Sequence, residues 1–194
     1  MVLPREFYAR PTLTVARELL GKVIRHGDVS ARIVEVEAYL GEADAAAHSA
    51  RGVTPRTRVI FGPPGHAYVY LVYGMHECLN IVAEPEGVAG CVLIRAVEPV
   101  TGITLATNGP GKLTRALGIT RRHYGADLTR GSLTVHDESG GDDLEIIVSR
   151  RIGISHALDL PLRFFVRGNR FVSGSAARAA ADDQDFARHI VRQR

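Results

Sequence analysis

A chain of 194 residues, 45% hydrophobic and 23% charged, fits one domain over residues 1–194, since domains cluster around roughly 100 to 200 residues. Two cysteines exclude a disulfide-dense scaffold, and the longest apolar run, Ala67 to Met75, is far short of the roughly 20 residues a spanning helix needs. A net charge of +3 excludes neither an ordinary enzyme nor a nucleic-acid binder.

In chain order, TLTVARELLG (12–21) has the texture of a short helix, with Thr12 or Thr14 as N-cap and Gly21 placed to end it. The period then changes to two. In SARIVEVEAY (30–39) it puts Ile33, Glu35, Glu37 and Tyr39 on one face of a strand, where two carboxylates need solvent or a site. A polar, turn-rich loop carrying Arg51, Arg56 and Arg58 leads into HAYVYLVYGMHECLNIVAE, which reads as a hairpin: strand 66–72, a turn near Tyr73 and Gly74, strand 77–83. CVLIRAVEP (91–99) predicts a third strand, with Cys91, Leu93, Arg95 and Val97 on one face and Val92, Ile94 and Ala96 on the other. Helical texture returns in KLTRALGI (112–119). Strands follow at 132–137, 144–154 and 162–168, then a peripheral helix at 176–192. Antiparallel strands dominate, so the class is α+β.

Chemistry-bearing residues are unevenly spread. Asp137, Glu138, Asp142, Asp143 and Glu145 form one acidic patch and Asp182, Asp183 and Asp185 another, which leaves the rest of the chain positive. The Arg51–Arg58 loop and a second stretch with Lys112, Arg115, Arg121, Arg122 and Arg130 could hold phosphates or simply be a solvated surface. Asn80, in parity with Cys78 and Val82, is a polar amide among apolar neighbours and needs a partner. Cys78 and Cys91 sit in apolar runs and suit reduced core thiols, with a cross-strand bridge as the alternative. The eight histidines are scattered, which points to no metal site. Arg5, Glu6, Arg10, Arg17 and Glu18 interrupt any signal-like stretch, so the expectation is a soluble, cytoplasmic protein without membrane contact.

Six runs, RIVEVEAYLGEADAAAHS, TPRTR, AYVYLVYGMHECLNI, CVLIRAVEP, GPGKLTRALGI and RIGISHALDLPLRFFVRG, occur in the same order as in the 3-methyladenine DNA glycosylase family of the alkyladenine type. The chain resembles that family over about residues 7 to 173. The resemblance implies a curved antiparallel sheet with flanking helices and a protruding hairpin that enters duplex DNA, a monomer, and no cofactor. It implies hydrolysis of the bond between a damaged purine and deoxyribose after the nucleotide is flipped out. By the same resemblance Tyr73 is the intercalating wedge, and Tyr39, His48 and Tyr70 enclose the flipped base. Asn80 obstructs the amino group of normal guanine. Glu37 is the water-activating base, Arg95 holds Glu37 and the water, and the carbonyl of Ile152 completes the water's binding. Lys112, and with it Arg56 and Arg58, are expected at DNA phosphates. Only Lys22 and Lys112 exist, so Schiff-base chemistry is not expected. Glu35 is the competitor for the base. A non-catalytic lesion binder and a nucleoside hydrolase are the rival classes; the first would not need Glu37 with Arg95, the second would not need basic loops or a wedge.

Overall fold

The computed structural model describes residues 1–138 and 144–174. Helices α1 (Arg5–Tyr8) and α2 (Thr12–Leu19) precede strands β1 (Val23–His26), β2 (Val29–Tyr39), β3 (Ala67–Val72), β4 (His76–Val82) and β5 (Cys91–Thr101). After α3 (Pro110–Ala116) come β6 (Leu133–His136), β7 (Ile146–Ser149) and β8 (Arg163–Val166). The helix expected at 176–192 lies outside the described residues.

All strands join one curled antiparallel sheet in the order β3-β4-β5-β2-β1-β6. The long β2 is its spine. Its first half pairs with β1 and its second half, Glu35–Glu37, pairs with β8, which in turn carries β7. One sheet face meets α2, whose buried Thr12, Val15, Ala16 and Leu19 recur at helical spacing. There Val15, Leu19, Ile33, Val36, Ile81, Val92, Ile94 and Leu113 form the main core.

Several boundaries differ from the sequence reading, each for a visible reason. Thr12 opens α2 rather than capping it. Its backbone N–H and hydroxyl both donate to Glu84 Oε1, at 2.6 and 2.7 Å, so a carboxylate from a distant loop satisfies the helix start. Helix α3 begins earlier than the expected 112, with Pro110 in its first turn, where a missing N–H costs nothing. Strand β1 was not anticipated, although Gly27 and Asp28 between two short apolar runs are a hairpin signal.

The period-two reading of β2 and β5 holds only up to a bulge. Register passes from Val36↔Ile94 to Glu35↔Ala96 to Ile33↔Val97, so Arg95 and Val34 have no direct partner. Ile33 and Val97 therefore join the main core instead of sharing a face with Glu35 and Arg95, while Val34 and Ala96 join a second cluster with Ile147, Phe165 and Val172. A bulge re-aims side chains, and this one points Glu35 and Arg95 at each other.

Gly41, at φ 83, follows β2 directly, and a Cβ there would run into the carbonyl oxygen of Ala89. Gly41→Ala is expected to cost about 1–3 kcal/mol through backbone strain and this clash, read as a lowered Tm, whereas Gly52→Ala, with open space around it, should cost less.

Candidate functional site

Opposed residues of antiparallel strands share a face. The register therefore lays Glu37, Leu93, Asn80 and Tyr68 in one row across β2, β5, β4 and β3. Tyr39 and Tyr70 stand two residues further along their strands. A cleft of about 670 Å³ opens on this face, lined by Tyr39, Tyr68, Tyr70 and Asn80 from the sheet, and by Ala45–His48, Arg51, Arg56 and the 153–156 segment from loops.

Glu37 has no exposed surface. Its Oε1 accepts the backbone N–H of Ile152 at 2.7 Å, its Oε2 accepts the Tyr39 hydroxyl at 2.9 Å, and Arg95 Nη1 stands 3.3 Å from Oε1. Arg95 Nη1 also donates to the carbonyl of Ile152 at 3.3 Å. The three residues that the family resemblance singled out thus meet at the backbone of Ile152, Glu37 at its N–H and Arg95 at its carbonyl. Burial pushes the Glu37 carboxyl above the ordinary carboxylate range, and Arg95, the Ile152 N–H and the Tyr39 hydroxyl pull the other way without cancelling it. Arg95 favours the ionised form, but desolvation is the larger effect.

Glu35, equally buried, is saturated differently. Arg163 Nε donates to it at 2.6 Å, Arg95 Nε at 3.3 Å, the Ser173 N–H at 2.6 Å and the Ser173 hydroxyl at 2.9 Å. It ties β2 to β8 and to the 173 segment, which is a structural task.

The sequence reading missed a second buried pair. Arg151 grips Asp44 with two bonds, Nη1 to Oδ2 at 2.5 Å and Nη2 to Oδ1 at 2.8 Å, and donates to the carbonyl of Ala38 at 3.0 Å. Its guanidinium also lies 4.7 Å from the Tyr39 ring centroid. Burial would raise the Asp44 carboxyl, but the bonds from Arg151 and from the N–H groups of Leu40 and Ala46 outweigh it and hold the group below its usual range. This pair fastens the 40–47 loop beside Ile152. It also explains why β7 ends at Ser149 rather than running to 154: Arg151 and Ile152 turn inward to Asp44 and Glu37. The adjacent arginines of RRIGIS were the available signal, but Asp44 lies 107 residues away.

His48 meets Tyr70 edge-on, ring centroids 4.6 Å apart, and its Nδ1 is 2.9 Å from the Tyr68 hydroxyl. Burial first, then Arg56 and Arg51, hold its imidazole down to about 4, so the ring is neutral at physiological pH. Asn80 finds its partner in the carbonyl of Tyr68, to which Nδ2 donates at 3.2 Å, with the Cys91 thiol 4.0 Å from its Oδ1. Cys78 and Cys91 are free, and burial raises their thiols to about 11 and about 12, which keeps both protonated.

Tyr73 is 85% exposed at the β3–β4 tip and sits at φ 51, with Gly74 at φ 69 and the Met75 N–H closing the turn onto the Val72 carbonyl at 3.1 Å. Two central residues at positive φ match the twist of a hairpin, but a tyrosine there costs roughly 1–2 kcal/mol. Glu77, an anion near this tip, is half-buried with Arg121 at 3.8 Å. Gly111 packs against His76, the first residue of β4, which brings Lys112 near the turn end of the hairpin. Lys112 Nζ donates to Asn108 at 3.1 Å, and Arg58 is exposed. Among the described residues no group of three or more potential metal ligands occurs, and no helix is long and apolar enough to cross a membrane.

The arrangement suits a planar ring between aromatic walls, beside a buried carboxylate that can accept a proton. The family model of methylpurine-DNA glycosylases matches residues 6–170. A protein of Methanoculleus marisnigri, provisionally named a 3-methyladenine DNA glycosylase, is 48% identical over 191 residues, covering 89% of this chain and 99% of its own. Provisionally named counterparts from Alkaliphilus oremlandii (47% over 201 residues, 89% and 99%) and Legionella pneumophila strain Lens (48% over 178, 88% and 97%) are similar to the same extent.

Removing one partner of the Asp44–Arg151 pair leaves a buried charge uncompensated. Asp44→Ala is expected to lower stability by about 3–5 kcal/mol, read in a denaturant titration, and Arg10→Ala, which breaks an exposed pair with Glu18, by about 1 kcal/mol or less.

Proposed function

The chain belongs to the methylpurine-DNA glycosylase family, and on that premise we propose that it flips damaged purines out of duplex DNA and hydrolyses their glycosidic bond with a water activated by Glu37. The observation that carries this reading is the meeting of Glu37 and Arg95 at the backbone N–H and carbonyl of Ile152 beside the aromatic cleft. A base must leave the stack before its bond to the sugar can be reached, at a cost of a few kcal/mol that damage lowers. Tyr73, exposed on a strained tip, fills the vacated space and recovers stacking.

Tyr39 takes one face of the flipped base, and His48 and Tyr70 take the other. A purine alkylated on a ring nitrogen is cationic, so electron-rich rings attract it and a neutral His48 does not repel it. Asn80 projects from the sheet floor and obstructs the exocyclic amino group of normal guanine. Bond breaking passes through an oxocarbenium-like sugar. The Glu37 carboxylate stabilises that charge and receives the water's proton; Arg95 and the Ile152 carbonyl orient the water. Each carboxylate oxygen has lone pairs beyond the bonds it already accepts.

The substrates are 3-methyladenine, 7-methylguanine, hypoxanthine and ethenoadenine in double-stranded DNA. Among the described residues the cleft lining holds no lysine, so the product is an abasic site in an intact strand. Lys112 and Arg58 hold phosphates beside the hairpin, and the protein acts as a soluble cytoplasmic monomer without a cofactor. The lesion-binding alternative is disfavoured because it has no use for a buried, cation-paired Glu37.

Glu37→Gln keeps shape but removes charge and basicity, and is expected to lower single-turnover excision by at least about 3–5 kcal/mol in barrier, with lesion-DNA affinity near parental. Excision at the parental rate, or a larger loss in the equally stable fraction of Glu35→Gln, would reassign the base. Because the folded Glu37 carboxyl lies above the ordinary value of about 4.3, its reactive ionised form is lost as pH falls through that raised value. Excision of 7-methylguanine, whose departure needs no acid, should therefore fade on the acid side at a higher pH than an ordinary glutamate would give.

Tyr73→Ala should weaken flipping and duplex binding, read by fluorescence of a flipped reporter base. An unchanged flipping equilibrium assigns the wedge to another residue.

A further inference from the structure

Arg56 and Arg58 are both exposed, but only Arg56 lines the cleft. The turn around it is knitted: Thr54 and Thr57 exchange bonds at 2.8 and 3.2 Å, the Thr57 hydroxyl donates to the Gly52 carbonyl at 2.9 Å, and the Tyr124 hydroxyl donates to the carbonyls of Pro55 and Arg56 at 3.3 and 3.2 Å. Held this way, the Arg56 guanidinium lies 5.0 Å from the Tyr70 ring centroid. Its Nε donates to the Tyr68 hydroxyl at 3.2 Å and its Nη2 is 3.4 Å from His48 Nε2. Tyr70, Tyr68, His48 and Arg56 all line the cleft.

We propose that Arg56 sets the preference of this cleft between neutral and cationic damaged purines, a reading that rests on the base-excision function above. When the bond between the sugar C1′ and the purine N9 breaks, its electron pair leaves with the base. A base that is already cationic departs neutral. A neutral base departs as an anion and takes a proton from solvent afterwards. In both cases the water's oxygen bonds to C1′ and its proton goes to Glu37.

A guanidinium in the wall of the cleft stabilises the developing anion and opposes a bound cation. Its field reaches this wall already, since Arg56 is among the groups that keep His48 unprotonated. The Nη2 contact also places a donor at His48 Nε2, which leaves Nδ1–H to face the Tyr68 hydroxyl. Arg56 thus works against the aromatic walls, which favour cations, and extends the substrate range to neutral lesions such as hypoxanthine.

The test measures single-turnover excision of hypoxanthine and of 7-methylguanine from duplexes of one sequence, at matched salt, for the parent, Arg56→Gln and Arg56→Lys. Arg56 is exposed, so solvent screening limits the effect. The hypoxanthine-to-7-methylguanine rate ratio is expected to fall about tenfold in Arg56→Gln, a discount on the 10²-fold typical of an enclosed donor. Arg56→Lys, which keeps the charge, should restore most of the ratio. Partial unfolding lowers both rates equally and leaves the ratio untouched. An unchanged ratio with both rates reduced makes Arg56 a phosphate or scaffold residue and overturns the proposal, as does a ratio that Lys fails to restore. A parent protein that excises neither base overturns the base-excision function itself, and the role of Arg56 with it.

Discussion

Two carboxylates buried on one strand impose most of the site's architecture. Glu35 and Glu37 have no exposed surface, and an unpaired carboxylate in such a place would cost several kcal/mol. Arg95 and Arg163 answer them, and Arg151 answers Asp44, so three acids and three guanidiniums neutralise one another beneath the cleft. The partners come from β2, β5, β8 and the turn after β7. Docking those elements and assembling the site are one event, because none can be left out without stranding a charge.

The network also divides labour between two chemically identical residues. Glu35 spends its lone pairs on Arg163, Arg95 and Ser173. Glu37 receives a backbone N–H, a phenol and the more distant edge of Arg95. The first arrangement is a joint. The second leaves a carboxylate that burial makes more basic beside the aromatic cleft, the property on which the proposed proton-acceptor role draws.

Rigid and strained parts are kept separate. The cleft walls are cross-braced through Arg151, which touches Tyr39, Asp44 and the Ala38 carbonyl at once, so the aromatic slot is formed before any ligand arrives. The hairpin tip is the opposite: Tyr73 is exposed and holds a backbone conformation that tyrosine disfavours. Unfavourable backbone geometry persists where a function maintains it. Arg121, 3.8 Å from the half-buried Glu77, partly offsets the carboxylate's charge near that tip.

Local pattern was enough to place β2 to β5, α2 and the hairpin turn, because alternation and turn chemistry are properties of neighbouring residues. It also placed Glu37 and Tyr39 on one face of their strand and Asn80 in step with Cys78 and Val82, since parity survives folding wherever pairing is regular, but the row that joins these faces across strands came from the register. The roles expected of them came from the order of six motifs, which is likewise a property of sequence. Pattern failed at the bulge, where Ile33 and Val97 leave the face that parity assigned them, because the extra residue is set by what Glu35 and Arg95 must reach. It failed for Asp44, Arg151, Arg163 and Ser173, whose importance lies in contacts across 10 to 138 positions of chain, and it gave no sign that Arg56 lines the cleft. What the sequence determined by itself was the residue types and their local faces; which buried charge meets which was decided only by the tertiary structure, because ion pairing depends on distance in space and carries no signature of spacing along the chain.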